Sequence, residues 1–365
     1  MNMRDKFTVE RTGPSIPASP WMKLGVAAVA AFLCSTQPAY AKGANGKGGG
    51  QGACSATAKA AQKACKYEVK DDDWIGRAIC YNLSDADEQT TCEEELAEET
   101  MEAKAFCEEQ HEARLDLCGA LGEDPYDPDW DPGMFDSDFT SPTMPNPYWP
   151  LDIGAEWEFE GGDEEITVTV LNETKSIDGV TCIVVNDVVT EGGELIEDTD
   201  DWYGQATNGD TWYCGEIALN FETFPGDNPD DPELIDIEGS WKAGNEAGDK
   251  PGVIMFHEYS PEFTAGTVYR QEVSWGNAED AAEILSTSYY YPDGSDLDDL
   301  VPAALATIMC SDGCVVTREF TPVEPGAEAI KYYARDVGVF LEVEDGEIVE
   351  LVSCTGFFRG RTGEV

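Results

Sequence analysis

Six cysteines in the first third of the chain constrain its folding more than any other feature. Cys54, Cys65, Cys80, Cys92, Cys107 and Cys118 are spaced by 11, 15, 12, 15 and 11 residues, a pattern that reads the same in both directions. Two helices folded back antiparallel bring together residues whose numbers share one sum, because both rise equally per residue. That sum is 172 for Cys54 with Cys118, Cys65 with Cys107 and Cys80 with Cys92, which places the fold-back at residue 86, inside the polar run Ser84-Asp85-Ala86-Asp87. Offsets of 11 and 15 also return to nearly one helix face. The spacing predicts an antiparallel helical hairpin over residues 53–122, stapled by those three disulfides. Residues 53–69 are rich in Ala and Lys, Asp71-Asp72-Asp73 is expected to interrupt the first helix, and residues 74–81 resume it. Ser84 with Asp85 offers an N-cap to a Glu-rich second helix, and Gly119 and Gly122 suit its end. Ala58, Ala61 and Ala103 permit the close approach a bridge needs. Each bridge contributes about 2–4 kcal/mol, which a two-helix unit with little core requires. Six widely spaced cysteines with no CxxC pair fit zinc poorly. His111, near the cysteine face, has no acid–base partner pattern and reads as a surface or packed residue.

Disulfides on this scale belong to an oxidising compartment, and the N-terminus offers the route there. Residues 24–33 (LGVAAVAAFL) form a short apolar run behind Lys23, and Ala39-Tyr40-Ala41 is a small-x-small cleavage site. The run is too short to span a bilayer as a helix. Residues 1–41 therefore read as a signal peptide, with Met22-Lys23 as the ordinary start of such a signal. Cys34 follows Leu33 directly, where a lipid-attachment signal carries a small residue, so a periplasmic or extracellular protein is expected rather than a lipoprotein. Residues 42–52 (KGANGKGGGQG) are a Gly-rich leader whose GxGxxG-like spacing lacks the preceding strand of a nucleotide site.

The chain carries 74 acidic against 22 basic residues, a net charge of −52. Phosphate binding needs clustered Lys and Arg, so nucleic acid is not an expected partner, nor is an anionic membrane surface. The charge favours solubility and attraction for cations. Residues 123–150 hold seven prolines (Pro125, Pro128, Pro132, Pro142, Pro145, Pro147 and Pro150), which exclude regular structure and read as an acidic linker. Asp127, Asp129 and Asp131 alternate in it, and Asp138 stands twelfth counting from Asp127, a partial calcium loop. Pro132 takes the sixth position, where the sharp turn wants Gly, so a solvated acidic strap is the simpler reading.

From residue 151 the periodicity changes to two, as in Trp157-Glu158-Phe159 and Ile166-Thr167-Val168-Thr169-Val170. Strands are expected near 155–160, 164–173, 180–190, 194–204, 211–220, 264–275, 281–291, 313–321, 328–335, 338–344 and 347–354. Asp178-Gly179, Gly192-Gly193, Asn208-Gly209 and Asp345-Gly346 are hairpin turns. Successive hairpins make an antiparallel meander, and so long a sheet must curl or close to bury one face. The expected fold class is α+β, multidomain: the stapled helical hairpin, then a predominantly antiparallel β domain over 151–365 forming a curved sheet, half-barrel or barrel. Trp157, Trp202, Trp212, Trp275, Tyr332 and Tyr333 read as core, with a ligand groove on the concave side as the alternative. Five cysteines lie here: Cys182, Cys214, Cys310, Cys314 and Cys354. Cys310-Ser311-Asp312-Gly313-Cys314 can close on itself, bind a metal or send one cysteine to Cys354, and a bridge from this pair to Cys354 is the expectation adopted.

Several stretches carry a resemblance. PLDIGAEWEFEGG (150–162), EDTDDWYGQ (197–205), GDTWYCGE (209–216), GSWKAG (239–244), YRQE (269–272) and KYYARDVGVFLEV (331–343) look like a family of exported bacterial proteins of unassigned function whose members end in a YYAPGVG-like strand turn. The resemblance covers most of residues 147–354 and implies a curved antiparallel sheet, without any catalytic residue to carry over. The chain departs from it at Arg335-Asp336, where Pro-Gly is expected, and at Cys214, where an aromatic is expected. The cysteine region is similar in architecture to the hairpins of twin-cysteine-motif proteins, with longer spacers.

Chemistry is sparse. The chain has two histidines, and His257-Glu258 lacks the second histidine of a zinc-protease helix. No GxSxG elbow, P-loop or CxxCH run occurs, and carboxylates are too numerous for any pair to identify a glycosidase. Asp198, Asp200 and Asp201, with Asp210 in the following turn, offer oxygens for calcium, as does the run Asp227, Asn228, Asp230 and Asp231. All are also ordinary turn formers. The leading expectation is an exported, acidic, non-enzymatic protein that binds an unknown ligand or partner, with calcium assistance. The alternatives are a structural or cell-surface-associated protein using the hairpin as its interaction module, and an unrecognised hydrolase. A pocket holding one carboxylate of raised pKa would favour the last.

Overall fold

The computed structural model describes residues 52–226, 228–229, 231–244, 248–356 and 363–364. The expected signal peptide, nearly all of the Gly-rich leader, Asp227 and Asp230 lie outside the described residues.

Two long helices, α1 (Ala53–Tyr81) and α2 (Ala86–Leu121), fold back on each other. They are joined by Cys54–Cys118, Cys65–Cys107 and Cys80–Cys92, with Cα–Cα distances of 5.7, 5.8 and 5.6 Å. Gly76 makes room for the approach, since a Cβ there would come within 2.4 Å of Leu96 Cδ1. The interruption expected at Asp71-Asp72-Asp73 does not occur. Asp73 is tied down instead, accepting hydrogen bonds from Arg77 one turn on (3.0 and 2.9 Å) and from Thr100 of α2 (3.3 Å). Asp71 and Asp72 are exposed, so their charges cost the helix little. Asp85 caps α2, accepting from the amides of Asp87 and Glu88 at 2.9 and 3.1 Å. Asp85→Ala is expected to cost about 1 kcal/mol and to raise hydrogen-exchange rates in the first turn of α2 alone. Unchanged exchange there would remove the cap from the account of how the hairpin turns.

After the linker come β1 (Glu156–Gly161), β2 (Glu164–Ile177), β3 (Val180–Glu191), β4 (Glu194–Gln205) and β5 (Thr211–Glu222). The short β6 (Glu233–Asp236) and β7 (Trp241–Lys242) follow, then β8 (Lys250–Met255), β9 (Val268–Arg270), β10 (Glu272–Val273) and β11 (Ala281–Tyr289). A helix, α3 (Ala303–Met309), precedes β12 (Cys314–Phe320), β13 (Glu328–Ala334), β14 (Gly338–Glu344), β15 (Glu347–Thr355) and β16 (Gly363–Glu364). Every pairing is antiparallel, in the order β10-β8-β5-β4-β3-β2-β1-β15-β14-β13-β12-β11-β9. The two ends of that path, β10 and β9, are consecutive in the chain with only Gln271 between them, so the sheet curls until it nearly closes. Gly252 lets the last strands meet, because a Cβ there would lie 2.1 Å from the Gln271 carbonyl oxygen. The expected strand over 264–275 is thereby split at Gln271, and β6, β7, β8 and α3 are elements the periodicity did not reveal. The turn at Arg335-Asp336 is made by Asp336 in the left-handed region, φ 61°.

The hairpin is anchored to the sheet through α2. Arg114 reaches Glu279, and Gln110 donates to the Val323 carbonyl at 2.7 Å. The linker forms only a 3₁₀ turn at Pro132–Met134 and then runs along the sheet end, where Phe135 bridges Ala206 and Asn146 donates to Met255 O at 3.0 Å. Among the described residues no helix is long and apolar enough to cross a membrane.

Candidate functional site

The inward face of the sheet has two unlike halves. Near the linker it is apolar. Trp149, Pro150 and Leu151 fold over Trp157 and Phe159 of β1, Val168 and Val170 of β2, Val185 of β3 and Val339 of β14, forming a half-open cavity of about 40 Å³. Such a volume exceeds the space one water needs. Trp157 Nε1 donates to Val337 O at 2.7 Å, and Trp149 meets Tyr203 edge-on at 5.3 Å, which fixes two walls. One ionisable carboxylate lines the cavity, that of Asp201 on β4, directly across from Val185.

Beyond Asp201 the same face turns acidic. Glu164, Asp187, Glu197, Asp201, Glu216, Glu272, Asp280, Glu319, Glu342 and Glu344 are all buried, with Lys331 among them. Strand register explains the grouping: Asp187 lies across from Thr199, Val189 from Glu197, and Lys331 from both Thr317 and Glu342. The charge of Lys331 is felt at Asp187, Glu272 and Asp280, on strands and loops that are not its neighbours in the sheet, which is expected only across an enclosed interior. Lys331 bonds Glu319 at 2.9 Å, and Tyr333 donates to Glu319 at 2.7 Å. Burial pulls Glu319 upward, but Lys331 and these donors hold it below the usual carboxylate range.

The other acids go the opposite way. Burial pushes Glu342 up to about 8 and Glu344 and Glu164 up to about 7. Asp187 is raised well above its ordinary value by burial and then by Asp201, Glu197 and Glu164. Burial also raises Asp201, Glu216, Glu272 and Asp280, each next to another acid. Tyr213 donates towards Asp201 and lies 3.0 Å from Glu216 Oε2, so one phenol serves two carboxyls. Asp187 Oδ1, Glu342 Oε1 and Glu344 Oε2 are buried with no hydrogen-bond partner among the described residues. Sequence reasoning singled out only Asp201 of this group. The signal was present as carboxylates on inward positions between β-branched residues, as in Val185-Asn186-Asp187-Val188-Val189, but so acidic a chain dilutes it.

The remaining calcium candidates are dispersed. Asp127 pairs with Lys250 at 2.8 Å, Asp129 is exposed, Asp131 accepts from the Gly133 amide, and Asp138 accepts from Thr140. Asp198 and Asp200 do converge, both accepting from the amide of Asn186 at 2.7 and 3.2 Å. Asp210 instead accepts from the His257 amide and from Asn208. Among the described residues no group of three or more acidic, His or Cys side chains is arranged to hold a metal ion.

The cysteine expectation for the sheet is corrected. Cys310 and Cys314 bond each other, Cys182 bonds Cys214, and among the described residues Cys354 has no disulfide partner. Cys354 lies on β15 across from Trp157, three strand spacings from Cys314 on β12, or roughly 14 Å, beyond the reach of a disulfide.

No family model matches the chain, and no curated protein matches it. Among solved structures, similar chains include a "putative lipoprotein" from Parabacteroides distasonis ATCC 8503, with 11% identity and a TM-score of 0.29 over 58% of this chain and 99% of that one. Another is a "putative exported protein with YmcC-like fold" from Bacteroides fragilis NCTC 9343, with 11% identity and a TM-score of 0.25 over 58% of this chain and 98% of that one.

Proposed function

We propose that this is an exported binding protein whose sheet interior takes a small amine, with the apolar part in the cavity and the ammonium against Asp201. Asp201 carries the proposal: it is the one carboxylate in a wall otherwise built of Trp, Phe, Val, Leu, Pro, Gly and Tyr. A cation beside a buried carboxyl of raised pKa favours its ionised form, so binding and proton release are coupled. Five disulfides support an oxidising destination. The test is a calorimetric titration of the full chain with butylamine and with 1-butanol, its neutral counterpart. The amine is expected to bind at least about tenfold tighter, and Asp201→Asn to abolish that preference. Equal affinities for the two probes in the wild-type protein would overturn the proposal.

Asp201 also supports the hydrolase reading, as an acid catalyst of raised pKa. No Ser, Thr, Cys or His lines the described cavity, so binding is the better-supported reading.

A further inference from the structure

The outer face of α1, opposite its cysteines, carries Lys63, Tyr67, Lys70, Trp74, Arg77 and Tyr81, spaced by four, three, four, three and four residues. Such spacing forms one stripe along a helix. It alternates cations with aromatics, and Tyr67, Trp74 and Tyr81 are 73, 60 and 60% exposed. Arg77 leans over the Trp74 ring at 5.9 Å. Exposed aromatics concentrated on one line are unusual for a solvated surface. The outer face of α2 is the complement: Glu94, Glu98, Met101, Ala105, Glu109, Glu112 and Asp116 recur at the same spacing, all exposed, with Met101 at 66%.

We propose that the hairpins of neighbouring copies associate laterally, the α1 stripe of one copy lying against the α2 stripe of the next. Charge complementarity selects a second copy as the occupant. In the antiparallel register the hairpin itself uses, where facing residue numbers sum to about 172, Lys63 stands opposite Glu109, Trp74 opposite Glu98 and Lys70 beside Met101, while Arg77, already paired with Asp73, lies beside Glu94. Tyr67 stands opposite the small Ala105. A line of cations and rings thus faces a line that carries five carboxylates and no cation. The contact uses different surfaces on its two sides, so it is head-to-tail and open-ended rather than a closed pair.

Sedimentation velocity over a concentration series, at low and at high ionic strength, tests this with the full chain. The wild-type protein is expected to associate with rising concentration and to dissociate with salt. Lys63→Glu with Lys70→Glu leaves both stripes acidic, and Glu98→Lys with Glu109→Lys sets lysines on the α2 stripe against Lys63 and Lys70. Each double variant alone is expected to self-associate at least about tenfold more weakly, and an equimolar mixture of the two to recover association, because each stripe again finds its opposite. A misfolded variant would not be rescued by mixing. Wild-type protein that stays monomeric throughout, a mixture that fails to recover, or a monomer that instead binds phosphatidylglycerol vesicles through this stripe would overturn the proposal.

Discussion

Arg114→Ala is expected to destabilise the protein by about 3–5 kcal/mol, more than any other single exchange on the helices. Arg114 leaves α2 and enters the sheet, where its side chain is 4% exposed and that of Glu279 is fully buried. The contact is bidentate: Nε lies 3.1 and 2.9 Å from the two carboxylate oxygens and Nη2 lies 2.7 Å from Oε1. Glu279 also accepts from the Gly276 amide at 2.7 Å, so the turn before β11 is set by the same carboxylate. Removing the guanidinium leaves a buried anion without its partner, and that uncompensated charge, rather than the lost attraction, makes the effect large. The prediction is checked by urea unfolding followed by tryptophan fluorescence, with far-UV circular dichroism to show that the stapled helices persist. Replacing both members together, as Arg114→Met with Glu279→Leu, is expected to recover most of the loss, since no orphan charge remains. A change below about 0.5 kcal/mol in Arg114→Ala would mean that the hairpin is not held by this pair.

How far the sequence carried depends on whether the determining interactions were local in number or only in space. The hairpin was legible because equal helical rise turns a spatial pairing into arithmetic on residue numbers. The meander was legible where alternation and a Gly-containing turn coincide, as between β2 and β3 at Asp178-Gly179. The continuity of α1 through Asp71-Asp72-Asp73 was not, because it rests partly on Thr100, which stands on the other helix. Cys354 was misassigned because spacing along the chain does not report that β13 and β14 intervene between it and Cys314. The interior acids were missed for a related reason. Asp187, Glu216 and Glu342 become one group only when a sheet of this length closes on itself, and each alone looks like another surface carboxylate.

That closed acidic interior dictates an unusual response to pH: the protein is expected to lose stability as the pH rises from 5 to 8. For an acid whose folded pKa is raised, the folded chain holds a proton that the unfolded chain has already released, so unfolding is favoured as the pH climbs between the two values. Glu342 at about 8 and Glu344 and Glu164 at about 7 define the window, against an unfolded value of about 4.3. Burial is the leading cause in each case. Asp187, Asp201, Glu216, Glu272 and Asp280 shift in the same direction for the same leading cause. Two groups oppose them. Glu319, lowered, contributes stability that is lost only in acid, and Lys331, which Glu319 and Glu342 raise against the pull of burial, contributes stability that is lost only in strong alkali. Neither changes charge state inside the window. Glu342 alone accounts for a fall of about 3–4 kcal/mol across it, enough to lower the melting temperature by roughly 10 °C in a sheet of this size. Urea unfolding at pH 5, 6, 7 and 8 reads the slope directly. Glu342→Gln, which keeps the shape and cannot ionise, is expected to reduce the slope over pH 5 to 8, the other raised acids supplying what remains. A profile that is level or rising over this range would mean that these carboxyls are already ionised and solvated at neutral pH, and the interior would then be an open, wet chamber rather than a closed one holding protons.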